Sequence, residues 1–148
     1  MQQQDSLARL IALARRRLKQ AVGARVARYG LSPQQFWVLV FLDTADGPPL
    51  NELCQRLRTD APTASRIVSA LARRGLVKPV RDARDRRRTL LKLTPNGRRL
   101  AGALQPLAAE VRGAVERDLD RIECAELRRL LNKVIASLDR YHAEGAAA

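Results

Sequence analysis

Between Leu50 and Thr94 the spacing of apolar residues changes period, and this restricts the fold more than any other feature of the chain. Leu50, Leu53, Cys54 and Leu57 fall at i, i+3, i+4 and i+7, the pattern of a short amphipathic helix. Thr59, Asp60, Ala61 and Pro62 supply a turn and a cap. A second helix is expected from about Pro62 to Arg74, with Ile67, Val68 and Leu71 facing inward and Gly75 ending it. The period then shortens to that of a strand. Leu76, Val77 and Val80 form one candidate strand and Leu90, Leu91 and Leu93 another, with eight residues from Arg81 to Arg88, all charged except Ala83, between them.

A short helix, a tight turn, a glycine-terminated helix and a hairpin with a charged loop predict a winged helix-turn-helix lobe over residues 32–94. The rest of the chain reads as helix. Leu7, Leu10, Ile11, Ala14, Leu18, Ala21, Val22, Val26 and Tyr29 recur at helical spacing from Asp5 to Gly30, which can stop the helix. Ser32 and Pro33 form an N-cap and first-turn proline for a helix apolar nearly all round, hence buried; Asp46 to Pro49 break the pattern. Thr94 and Pro95 open another helix, expected to run to about Arg121, and a last one is expected from Ala125 to Tyr141, with a frayed tail from Ala143. The predicted order is α-α-α-α-β-β-α-α. This is a mainly α chain with a small β-hairpin wing, in which helices at 5–31 and 95–142 flank the lobe as a dimerisation region.

Charge falls unevenly on this plan. The chain has 28 Lys and Arg against 15 Asp and Glu, a net +13. Residues 56–92 hold twelve bases against three acids and residues 1–31 seven against one, whereas 32–55 hold three acids and no base. A basic surface serves either as a solvated face or as the footprint of a polyanion, and its position decides between them. Here it flanks the helix-turn-helix, which points to double-stranded DNA. Thr63, Ser65, Arg66 and Ser69 sit at steps that share one helix face, near an N-terminus whose dipole favours phosphate; Arg66 has the fork that reads guanine in the major groove. Arg73 and Arg74 end the helix, where they either contact phosphate or complement its dipole. The hairpin loop carries Arg81, Arg84, Arg86, Arg87 and Arg88, suited to the backbone and minor groove. Asp82 and Asp85 make sense there only if they pair locally and fix the loop, and Asp85 with Arg87 is the expected brace.

Other chemistries lack their residues. The sequence contains one His and two Cys without a CxxC pair, so neither a metal cluster nor a disulfide framework is expected. No serine with a nearby histidine and no glycine-rich phosphate loop suggests an enzyme. No signal peptide or apolar run of membrane-spanning length is seen, which makes a reducing cytoplasm the expectation. The alternative to a specific regulator is a nonspecific nucleoid protein.

The strings Asp85-Arg86-Arg87, Leu91-Lys92-Leu93-Thr94-Pro95-Asn96-Gly97 and Leu71 to Val77 (LARRGLV) resemble the MarR family of bacterial transcription regulators, and the resemblance extends over nearly the whole chain. It implies a recognition helix in the major groove, Arg86 with Arg84 reaching the minor groove at the wing tip, and Asp85 with Arg87 bracing it. It also implies a homodimer through the first and last helices, which their apolar stripes independently request, and hence a pseudo-palindromic operator. A repressor of this kind often releases DNA when a small aromatic or phenolic effector binds. Tyr29, Trp37 and Arg15 are the pocket candidates, with Phe36 and Phe41 expected in the core and Tyr29 and Trp37 suited to either role. Cys54 lies on the apolar stripe of its helix, and Cys124 is expected between two helices.

Overall fold

The computed structural model describes residues 6–146. Local sequence signals start and stop most of its helices. α1 spans Leu7–Val26, with the Ser6 hydroxyl accepting from the Arg9 N–H, and continues as one 3₁₀ turn, Ala27–Tyr29. Gly30 ends it in the left-handed region at φ 64°, where a Cβ would be strained. α2, Pro33–Thr44, opens on a complete capping box: the Ser32 hydroxyl accepts from the Gln35 N–H and the Gln35 side chain accepts from the Ser32 N–H. α3 spans Leu50–Leu57 and α4 spans Ala61–Arg73. Gly75 follows at φ 68°; its N–H reaches the Ala72 carbonyl and that of Leu76 the Leu71 carbonyl, a Schellman closure.

β1, Val77–Arg81, pairs antiparallel with β2, Thr89–Leu93, in the register Val77 to Leu93 and Arg81 to Thr89. The Asp46–Pro49 break does more than interrupt helices. Pro49 bridges Leu90 and the Pro48 carbonyl accepts from the Leu91 N–H, so this stretch lies along the free edge of β2. Proline suits such an edge because it offers a carbonyl and needs no donor partner.

One core joins these elements. Val22 and Val26 of α1, Phe36, Val38, Leu39 and Leu42 of α2, Leu53, Ala64, Val68, Leu71, Leu76, Val77 and Leu91 are buried together with Ala101, Leu104, Leu107, Ala108 and Val111. Each large apolar side chain removed from water here contributes roughly 1.5–3 kcal/mol. On α4 Ile67 packs half-buried against this core as expected, and Ala64 joins Val68 and Leu71 among its buried residues.

α5, Pro95–Glu116, is seated by the Leu-Thr-Pro-Asn-Gly string. The Thr94 hydroxyl donates to the Gly75 carbonyl and accepts from the Gly97 N–H, while the Thr94 N–H donates to the Leu76 carbonyl. A Cβ on Gly97 would lie 1.8 Å from that Leu76 oxygen, so only glycine lets the helix approach.

Two boundaries depart from the sequence reading. α5 ends at Glu116 instead of Arg121, and α6 begins at Arg121 instead of Ala125. The cause is a capping box: Asp120 Oδ1 accepts from the Ile122 and Glu123 N–H groups, and Glu123 Oε2 accepts from the Asp120 N–H. α6 then runs to Ala146, through the segment expected to fray. The expected helix start at Asp5 lies outside the described residues. Residues up to Val111 form one unit and those from Arg112 a second. Within the second, α6 has no buried residue. Among the described residues no helix is long and apolar enough to cross a membrane.

Candidate nucleic-acid interface

The turn between α3 and α4 is made by Arg58, a non-glycine residue at φ 49°, whose N–H returns to the Cys54 and Gln55 carbonyls. Asp60 caps α4. Its Oδ1 accepts from the Thr63 N–H at 2.8 Å and its Oδ2 from the Thr63 hydroxyl at 2.9 Å. These bonds stabilise the carboxylate and hold the Asp60 pKa below the ordinary aspartate range. Arg66 Nη2 makes a long contact, 3.5 Å, with the same hydroxyl. One turn of α4 thus links Asp60, Thr63 and Arg66. Ser65, Arg66 and Ser69 are exposed and Thr63 is half-buried, while Ala64, Val68 and Leu71 anchor the opposite face. A polar face with one guanidinium therefore stands on a helix fixed from behind.

The hairpin presents the second part. The two aspartates of its loop face inward to the backbone: Asp82 Oδ1 accepts from the Arg84 N–H at 2.9 Å, and Asp85 Oδ1 from the Arg87 N–H at 3.0 Å. Asp85 does pair with Arg87, but through the main chain, and the Arg87 guanidinium stays in solvent. Further bonds from the Asp82 N–H to the Arg88 carbonyl and from the Arg88 N–H to the Asp85 carbonyl close the loop, and Arg81 Nη1 reaches the Arg86 carbonyl at 3.4 Å. Arg84, Arg86, Arg87 and Arg88 are exposed. Carboxylates that satisfy amides leave the guanidinium charges free to act outward.

A cavity of about 300 Å³ lies between α1 and α2, lined by Arg15, Leu18, Lys19, Val22, Ser32, Pro33, Gln34 and Trp37. It brings together two of the three expected pocket residues, Arg15 and Trp37. Tyr29 is not among the lining residues: its hydroxyl accepts from Arg28 Nη2 at 3.0 Å, and the Arg28 guanidinium lies 4.9 Å from its ring centroid. Phe36 is fully buried with its ring edge-on to Trp37 at 4.7 Å, as expected of a core residue, and Phe41 is half-buried against the core.

The MarR family profile matches residues 29–88, which contain α2 to α4 and most of the wing. The HTH-type transcriptional regulator TtmR of Methylorubrum extorquens is 30% identical over 122 residues, 82% of this chain; the chain spans 60% of the length of that regulator. Among solved structures, the transcriptional regulator PA3341 has 30% identity and a TM-score of 0.78 over 91% of this chain and 99% of its own. Over residues 29–88 the chain is of the MarR family. An E. coli MarR mutant complexed with operator DNA is 26% identical with a TM-score of 0.74, over 86% of this chain and 92% of that one. The S. aureus MepR–DNA complex shares the fold at a TM-score of 0.80 and 24% identity, over 89% of this chain and 98% of that one.

The MarR-family fold also places residues that sequence reasoning did not single out. Asp60 as cap was expected, but its hold on the Thr63 hydroxyl was not. Asp82 and Asp85 both fix the loop as expected, and Arg81 joins them through the Arg86 carbonyl. Arg74, read as a phosphate or dipole residue, stays exposed but folds back on its own chain: its Nη1 donates to the Gly30 carbonyl at 2.8 Å and its Nη2 to the Tyr29 carbonyl at 2.9 Å. Arg73 is exposed at the end of α4. Cys54 is half-buried on α3 against the core, and Cys124 lies in the first turn of α6 instead of between helices, with its Sγ 3.9 Å from the Leu119 carbonyl oxygen.

Proposed function

We propose that this MarR-family protein is a homodimeric, sequence-specific regulator that binds a pseudo-palindromic double-stranded operator as a repressor. The observation that carries the reading is the exposed polar face of α4 beside a hairpin whose loop aspartates bond to backbone amides, leaving its guanidinium groups in solvent. Thr63, Ser65, Arg66 and Ser69 face base edges in the major groove, Arg66 taking guanine O6 and N7. Arg84, Arg86 and Arg88 enter the minor groove and its phosphates, Asp85 and Arg87 hold the loop, and Arg73 contacts backbone. The reading gives the protein no catalytic role and a place in the bacterial cytoplasm with the nucleoid.

The dimer is supported by the apolar surface of the terminal helices. Cys124, Leu127, Leu131, Val134, Leu138 and Tyr141 follow one another at steps of three and four on α6, a seam rather than a scatter. Leu127, Leu131, Leu138 and Tyr141 are 41%, 40%, 57% and 76% exposed, and Leu7 and Leu10 of α1 are 72% and 45% exposed. Apolar stripes of this kind belong against a second copy. The cavity beside Arg15, Lys19 and Trp37 suits a small aromatic or phenolic effector, and titrating such acids against the fluorescence of Trp37, the one tryptophan in the sequence, reads its binding directly.

The deciding experiment is fluorescence anisotropy with DNA from upstream of the protein's own gene and a scrambled control, at two salt concentrations. A preference of about a hundredfold or more for the native fragment, with a steep salt slope, is the expected outcome. Equal affinity for both fragments favours the nonspecific nucleoid role, and binding to neither overturns the reading.

A further inference from the structure

Arg74 occupies the C-cap of α4, yet both of its terminal nitrogens engage residues 44 and 45 positions earlier in the chain. The acceptors are the carbonyls of Gly30 and Tyr29, at the end of α1 and its 3₁₀ turn, where helical donors have run out and the dipole is negative. Two parallel bonds of 2.8 and 2.9 Å from a planar guanidinium are charge-assisted and fix direction as well as distance. The fit is close: a Cβ on Gly30 would stand 3.6 Å from Arg74 Nη2. The adjoining Tyr29 ring is held by Arg28. The C-terminal end of α4, the helix whose earlier turns carry the base-facing residues, is therefore clamped to the end of the helix that lines the Arg15 and Trp37 cavity.

Resting on the DNA-binding reading above, we propose that Arg74 is a positioning residue for DNA recognition: by clamping α4 to the end of α1 it sets the approach of Ser65, Arg66 and Ser69 to the bases and ties that approach to the position of α1. Its guanidinium is occupied by carbonyls and does not neutralise a phosphate, unlike that of Arg73.

The salt dependence of binding separates these roles, because each phosphate contact contributes about −0.9 to the slope of log K against log salt. Full-length wild type, Arg74→Met, Arg74→Lys and Arg73→Met are compared by anisotropy on native and scrambled fragments across a salt series, well below their melting temperatures. Arg74→Met loses about tenfold in affinity for the native fragment and much less for the scrambled one, with its slope unchanged. Arg74→Lys keeps the charge but not the fork and recovers only part of the preference. Arg73→Met weakens both fragments alike and flattens the slope. A flatter slope for Arg74→Met, or wild-type preference in it, overturns the proposal. Should Arg74→Met fail to fold, the slope is read from Arg74→Gln, which removes the charge, and the preference from Arg74→Lys. A wild type that binds no DNA overturns the functional reading instead; the clamp is then judged by amide exchange over Val26–Leu31 in the free protein, which Arg74→Met accelerates if the clamp exists and leaves unchanged if it does not.

Discussion

α2 and α6 use the same apolar residue types to opposite ends. The twelve residues of α2 bury Phe36, Val38, Leu39 and Leu42, whereas the 26 residues of α6, with five leucines, isoleucines and valines between Leu127 and Ile135, bury none. Hydrophobicity is thus not what decides whether a helix is buried. The difference is whether the same chain supplies the surface that covers it. α2 has α1, α4 and β2 around it, and its stability is a property of one chain. α6 keeps its helical form by local bonds, including the Asp120 capping box and the Arg129 ion pair with Glu126, and its apolar seam is exposed; in the dimer proposed above a second copy covers it.

The comparison breaks most severely at Phe36. Phe36→Ala removes a fully buried ring and should cost about 3–5 kcal/mol in chemical denaturation at any protein concentration. Gly97→Ala comes next, because the added methyl meets a backbone oxygen that cannot step aside without moving the α4 exit. A loss of about 3 kcal/mol is expected, at the upper end of ordinary overpacking, and a near-neutral result would show that α5 can slide on Leu76. Leu131→Asp on α6 should behave differently in kind. It should weaken self-association by about 2 kcal/mol in sedimentation equilibrium, as an interface hot spot does, and leave the unfolding of the lobe at a fixed oligomeric state nearly unchanged. Concentration-independent destabilisation instead would mean that α6 is a core helix of its own chain.

The same contrast explains what was legible in the sequence. Ser32 with Pro33, Gly75 and Thr94 with Pro95 each act within one turn, so the helices and strands of the lobe fall within about a residue or two of their expected bounds. The α5 to α6 break was misplaced because Leu119 continues the apolar period by chance, while the Asp120 and Glu123 pair that sets the break is a polar signal with no apolar gap beside it. Exposed candidates on α4 and in the wing loop were readable from charge and helical step. The Arg74 clamp was not, because nothing near residue 74 encodes two carbonyls 44 and 45 positions away. Tyr29 was placed with Trp37 on residue type alone, whereas its orientation is fixed by Arg28 beside it.

The smallest expected effects sharpen the comparison through pH and salt. Asp60 on α4 and Glu126 on α6 both have lowered pKa values, for different reasons: Asp60 accepts the N–H and O–H of Thr63, and Glu126 accepts from the Arg129 guanidinium. A lowered folded-state pKa means that the unfolded chain takes up the proton first as pH falls. Both groups therefore contribute their full stabilisation above the ordinary carboxylate range and lose it as pH drops through the lowered folded values. Between pH 7 and 5 neither contribution should change. Below that, the melting-temperature advantage of wild type over Asp60→Asn and over Glu126→Gln should shrink towards zero. Salt then separates them, since both carboxylates are exposed but only Glu126 depends on an ion pair. At neutral pH and about 1 M salt, where charges are screened within roughly 3 Å, the Glu126→Gln difference should vanish while the Asp60→Asn difference persists. If salt removed the Asp60 difference as well, the carboxylate would be acting through its charge on Arg66 and the helix end, not through the two bonds to Thr63.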